Sequence, residues 1–366
     1  MKNIKLNLII TLITLLIISL SCKEKLQKTA YKPRTIKSIE LQKFDHQKFG
    51  LQKMNSIRAI EIVDSTAFFI AQGGKIYAFY KNGNFLITPN DFFGDKSPNF
   101  RASGSSKYNL YALSIENPAL LYQIKMDKTE GLKNPKLVYK EEGEKVFYDA
   151  MTFFDSQNGI AIGDPTEDCL SIILTENGGN SWHKISCENL PKLIEGEAVF
   201  AASNTNIAVN GNQAWIITGG KQSRVLHTPD KGKTWDITTT PLIYGSQSTG
   251  GYSIAFSDAN NGIICGGDYT KKGGNLENKA ITKDGGKTWQ LVANGKEPGY
   301  ISCVQYVPNT DGKELFAVST EGIYFSNDSG NSWLKVNNEG YFTIKFIDKN
   351  NAWLAGNGKI AKMKLE

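Results

Sequence analysis

Eight residues recur four times in this chain. They read TENGGNSW at 175–182, TPDKGKTW at 228–235, TKDGGKTW at 282–289 and SNDSGNSW at 326–333. A hydroxyl residue comes first, an amide or acid third, glycine fifth and tryptophan last, and each has a physical job. The side chain of Asp230, Asp284, Asp328 or Asn177 can accept hydrogen bonds from the turn's own backbone amides, and the glycine supplies a positive φ that other residues resist. The indole of Trp182, Trp235, Trp289 or Trp333 is expected to pack against the next structural unit and close the hairpin. Strand-like runs flank the octets, RVLH before the second copy and DIT after it.

The tryptophans fall about fifty residues apart, the spacing of four-stranded propeller blades. A second signature precedes the octets: FFDSQNGIAIG at 153–163, IAFSDANNGIICGG at 254–267 and IKFIDKNNAWLAGN at 344–357. It reads as an inner strand, a tight turn and a second strand ending in glycine. Counting by it predicts an all-β fold, a seven-bladed β-propeller of four-stranded blades, beginning near residues 54, 98, 146, 196, 248, 298 and 341. The last unit has three strands, and RTIKSIELQKF at 34–44 is expected to supply the fourth and close the ring. No long helix is expected.

Residues 1–21 hold Lys2, Lys5 and an apolar run ending at Leu20. This is an export signal, too short and wrongly flanked for an ordinary spanning helix. Ser21 before Cys22 resembles the bacterial lipobox, in which the cysteine is lipidated; a plain cleaved signal or an uncleaved anchor is the alternative. Residues 22–33 are polar and basic and read as a tether. The propeller, residues 34–366, is then expected outside the cytoplasm, lipid-anchored to a bacterial membrane on its periplasmic or surface face. Loss of Lys2 and Lys5 lowers the net charge from +6 to +4, and the remaining bases are interleaved with acids, which leaves no nucleic-acid footprint.

In such a blade the inner strand lines the central channel. Its start shares a face with the inter-blade segments and the loop after the second strand. Aligning those starts puts Arg58, Arg101, Asp149, Glu197, Ser253, Ser302 and Thr343 at one level, a polar opening suited to a ligand. Arg224, Asp164, Asp268, Tyr269 and Glu116 are expected on the same face, beneath a glycine- and serine-rich segment at 242–251. The candidate ligand-binding set is Arg58, Arg101, Asp149, Glu197, Arg224, Ser253, Asp268, Tyr269 and Asp164. The alternative is a ring of charges that neutralise one another and hold water.

No complete catalytic set is legible. The histidines are His46, His183 and His227, and no HExxH, CxxC or Walker loop occurs. Residues 356–361 match GxGxxA formally, with no helix to follow. No cofactor and no metal are expected. Cys169 and Cys187 fall opposite each other across the outer hairpin of blade 3, where an oxidising compartment could bridge them; bridged and unbridged states both remain open. Cys265 and Cys303 read as buried thiols.

The octets resemble the Asp-box, or BNR repeat. With FRASGS, FYDAMTFFDSQNGIAIGDP, EGEAVFAAS, ITGGKQSRVLHTPDKGKTW and GGYSIAFSDANNGIICGGDY, the chain from about Phe100 onward resembles bacterial propellers of the photosystem-II stability and assembly factor-like family. The resemblance implies assembly-factor-like binding; the polar mouth adds the expectation of a protein segment or a glycan as partner, and the chain is expected to act as a monomer. Asp-boxes also mark sialidases, which hold a carboxylate sugar with three arginines. By that resemblance Arg58, Arg101 and Arg224 would clamp a carboxylate. Tyr252 or Tyr269 with Glu197 would form the nucleophile pair, and Asp149 or Asp164 the acid. The sialidase Arg-Ile-Pro signature is absent, since Ala59 and Ile60 follow Arg58. A binding module is the first expectation, a sialidase-like glycoside hydrolase the second, and a scaffold without a small ligand the third.

Overall fold

The computed structural model describes residues 34–42, 55–94, 97–127 and 131–366. The export signal, Cys22, the tether and His46 lie outside the described residues. Between Thr35 and Glu366 seven antiparallel sheets succeed one another as propeller blades. Their inner strands are Ile57–Val63, Phe100–Ser106, Tyr148–Phe153, Ile207–Asn210, Thr249–Phe256, Cys303–Tyr306 and Thr343–Asp348. The second strands, such as Gly159–Gly163 and Leu315–Ser319, are buried along their whole length. Neighbouring blades cover both of their faces, which is why they read as unbroken apolar runs. Ile36–Leu41 pairs with Lys359–Leu365 as the outer strand of blade 7, so the two ends of the domain close the ring.

The octets are the turns between the third and fourth strands of blades 3 to 6. Asp230 accepts the backbone N–H groups of Lys233 and Thr234 at 3.1 and 2.8 Å and the Thr234 hydroxyl at 2.7 Å. The Thr228 hydroxyl accepts the Gly232 amide at 2.8 Å. Asp284 and Asp328 repeat the bond to the amide four residues on, and Asn177 keeps it through its side-chain oxygen. The fifth-position glycines all have positive φ, and a Cβ there would also strike the blade before: 2.4 Å from Tyr111 at Gly179 and 2.9 Å from Leu174 at Gly232. The tryptophans pack into the same seam. Trp182 lies against blades 2 and 3, Trp235 against 3 and 4, Trp289 against 4 and 5, and Trp333 against 5 and 6. They face the preceding blade rather than the next one, because the turn delivers the indole to the same side of the sheet as the crowded glycine.

Blade 4 departs from the expected start near residue 196. Its inner strand is Ile207–Asn210, and Glu197–Ala198 instead pairs with Gly219–Gly220, which in turn meets Gly250 of blade 5. A Cβ on Gly250 would lie 2.3 Å from the Cα of Gly219, so only glycine permits this approach. Residues 199–206 then cross the axis of the ring. Ala202 O accepts from Arg58 of blade 1. Asn204 bonds both the N–H and the C=O of Ser103 in blade 2 and accepts Met151 N–H in blade 3. Thr205 meets Ser253 and Ile254 of blade 5. The Ser203 hydroxyl donates to Ser302 O in blade 6, and its carbonyl accepts from Thr343 in blade 7. The chain thus plugs its own channel, and one segment ties every blade to the axis.

Candidate functional site at the mouth

Above the plug lies a cup of about 340 Å³. Its cationic side is Arg58, Arg101 and Lys272; its aromatic side is Phe200, Tyr252, Tyr269, Tyr300 and Phe342. Phe200 stacks on Tyr252 with ring centres 4.2 Å apart, and Tyr300 meets Tyr252 edge-on at 4.9 Å. The Arg58 guanidinium sits 4.1 Å over the Phe342 ring and donates to Ala202 O at 2.9 Å, while its Nε is buried without a partner. Burial, and then the charge of Arg101, push the Arg58 pKa down to about 10. Arg101 is lowered as well, by burial against the opposing pull of Asp149 and Glu116. Two desolvated guanidiniums side by side, neither bonded to a carboxylate, favour an anionic group above them.

A β-bulge opens the inner strand in blades 1, 2, 3 and 5, leaving Arg58, Arg101, Asp149 and Tyr252 as the extra residues. Blade 5 therefore presents Tyr252 at the mouth and turns Ser253 down into the plug, where it bonds Thr205 and the Val304 amide. Blade 7 presents Phe342 at the mouth, while the Thr343 hydroxyl turns down to donate to Ser203 O of the plug. Ser302 is spent on Val318 O and Phe342 O. Asp268 accepts the amide and hydroxyl of Thr270 within its own loop, and Tyr269 stands half-exposed at the rim. Glu116 is exposed and accepts the Asn99 amide.

The arginines do not form a shared clamp. Arg224 donates through Nε and Nη2 to Glu197, whose side chain is 0% exposed and also accepts the Thr218 hydroxyl. This pair neutralises itself beside the cup. It leaves Glu197 without a tyrosine partner, since Tyr252 donates its hydroxyl to Ser248 O. The three-arginine carboxylate site and the Tyr/Glu pair are therefore not assembled. Asp149 and Asp164 do come together, on the wall of a neighbouring cavity of about 560 Å³. Asp164 accepts the Val199 amide at 3.0 Å, and burial pushes its pKa up to about 6. Asp149 is fully buried. The amides of Ala201 and Asp164 lie toward it without closing a well-formed bond, so both its oxygens stay unpaired. Burial and then the Asp164 charge raise its pKa, with Arg101 opposing. Across the outer hairpin of blade 3, Cys169 and Cys187 are bridged. Cys265 and Cys303 are buried free thiols.

Phe200, Tyr300 and Phe342 were not legible as mouth residues. The available signal for Tyr300 and Phe342 was an aromatic just before the inner strand, as in GYISC and YFTIK; Phe200 lies in the plug and carries no such signal.

Fold and mouth together define a seven-bladed propeller with a self-plugged axis and a recessed cup on one face. No protein-family model and no curated protein sequence matches the chain. Its backbone is similar to the solved structure of YCF48 bound to D1 peptide, with a TM-score of 0.60 and 10% identity over 92% of this chain and 96% of that one. It is similar to YCF48 from Cyanidioschyzon merolae, at 0.58 and 15% over 89% and 99%. It is equally similar to U3-55K, at 0.60 and 14% over 91% and 100%. At these identities the likeness is one of fold.

Proposed function

We propose that this chain is an extracytoplasmic, membrane-tethered propeller that binds a segment of a partner protein in the cup. The observation that carries the reading is the recessed cationic and aromatic surface of Arg58, Arg101, Tyr252, Tyr300 and Phe342, in which neither guanidinium is bonded to a carboxylate. Aromatic rings and guanidiniums in a recess are the residues that anchor protein partners, and an anionic stretch flanked by aromatic or apolar residues fits their chemistry. The likeness to YCF48, whose solved structure holds D1 peptide, supports a peptide over a glycan. We read the octets as Asp-boxes and Cys22 as a lipidation site. The Cys169–Cys187 bridge supports an oxidising compartment, as expected for an exported chain.

The test is a peptide array of envelope-protein segments probed with the full chain in detergent. Binding to a small set of segments should fall at least tenfold in Tyr300→Ala and Arg58→Gln and persist in Lys233→Ala on the opposite face. Equal binding by all four proteins would sink the proposal.

A further inference from the structure

Beside the cup, the second cavity carries a charge imbalance. Asp149 is the bulged second residue of the blade 3 inner strand, and Asp164 follows the second strand. The Asp164 amide bonds Phe147 O at 2.8 Å, which sets the two residues side by side. Buried polar groups in folded proteins are nearly always paired. Asp149, 0% exposed with both oxygens unpaired on a cavity wall, is an exception that points to an absent partner. The surrounding charges say what kind. Arg101 is the cation facing Asp149; Glu197, on the same wall, is already neutralised by Arg224; Lys145 stands exposed at the rim. Two carboxylates thus face one guanidinium, and the site is short by one positive charge.

We propose that Asp149 and Asp164 form a subsite for a primary ammonium group, a lysine side chain or amino terminus, of the segment bound in the cup. This rests on the partner-segment reading. Arg101, Phe200 and Ala201 line both cavities, so one ligand can reach from the cationic cup into the acidic one. An ammonium is compact and carries three donors, which suits the acceptor sites of two adjacent carboxylates. Among the described residues no group of three or more His, Cys, Asp or Glu is placed to hold a metal ion, which favours an organic cation. Without a ligand, burial and the neighbouring Asp164 charge favour a proton on Asp149, and a bound ammonium would displace it.

Thermal shift and calorimetry on the full chain in detergent at pH 7.5 test this with small probes. Nα-acetyl-lysine amide presents a side-chain ammonium, norleucine amide presents an amino terminus, Nα-acetyl-norleucine amide is the uncharged control, and calcium chloride is the metal arm. One of the two amines should stabilise the protein, release protons between buffers of different ionisation enthalpy, and weaken at least tenfold in both Asp149→Asn and Asp164→Asn. Asp164 lies nearer the surface, so its variant reads out even if the buried Asp149 change disturbs folding. Equal binding of charged and uncharged probes, undiminished amine binding by Asp164→Asn, or a response to calcium alone would each overturn the subsite. Arg58→Gln should bind the amine normally while losing the partner segment, so failure of the cup and failure of the subsite are told apart.

Discussion

On the octet face, Asp230 accepts two backbone amides and a hydroxyl from its own turn; on the mouth face, Asp149 accepts no well-formed hydrogen bond at all. The pKa values diverge accordingly. Burial alone would raise Asp230, Asp284 and Asp328, but the bonds from Thr234, Thr288 and Ser332 outweigh it and lower them. Asp164 has only the Val199 amide and Asp149 no well-formed bond, so burial prevails and both rise. The first group is saturated by a local motif that recurs wherever a blade turns. The second is left unsatisfied at the one place where the blades differ. In a repeat protein, that contrast separates residues that build the fold from residues with capacity left for a ligand.

Four substitutions test the contrast, from the largest effect down. Arg224→Ala strands a fully buried Glu197 and should cost about 3–5 kcal/mol in denaturant unfolding; a negligible loss would reopen Arg224 as a free ligand clamp. Asn204→Ala removes the plug's bonds to blades 2 and 3, leaving buried backbone groups unpaired, at about 2–3 kcal/mol. A neutral result would show that the plug is passive filling. Asp230→Ala breaks one saturated turn and should cost about 1–2 kcal/mol without touching partner binding. Asp164→Asn should be the smallest and opposite in sign, a gain of about 1 kcal/mol at pH 8.

The pH dependence follows from the same directions. Asp164 has a folded pKa near 6, above its ordinary value, so its contribution is present below about pH 4 and is lost as pH rises through 6. The advantage of Asp164→Asn should therefore vanish by pH 4. The octet aspartates have lowered folded pKa values, so their contribution is present above about pH 4 and is lost as pH falls through those lowered values. Urea midpoints from pH 3 to 8 would show the two regions titrating in opposite directions.

The fold was legible because it is written four times. The octets, the DxxNG-like turns and the orphan strand at residues 36–41 each have a local sequence cause. The mouth was half legible. Arg58, Arg101 and Asp149 were found because the blades align there and Asp164 because it lies in the loop after a second strand, whereas Ser253 and Thr343 were placed one residue off the mouth. At Ser253 a bulge adds a residue without changing the hydrophobic alternation that follows it, so the register slip leaves no trace in the pattern. Glu197 was misplaced for a different reason. Residues 196–206 imitate the start of an inner strand, and the long plug that replaces it is held by contacts with all the other blades, which no local reading shows. Those contacts are also what carry Phe200 into the cup.

The central claim, that the cup receives a segment of a partner protein, is tested most directly by site-specific photo-crosslinking in intact cells. A photoreactive phenylalanine would replace Tyr269 at the cup rim or Lys233 on the octet face. The account predicts a discrete adduct from position 269 alone. Its crosslink should map to one segment of one partner, be competed by the synthetic segment, and be lost on adding Tyr300→Ala. No adduct from the cup, or adducts equal from both faces and insensitive to Tyr300→Ala, would contradict it.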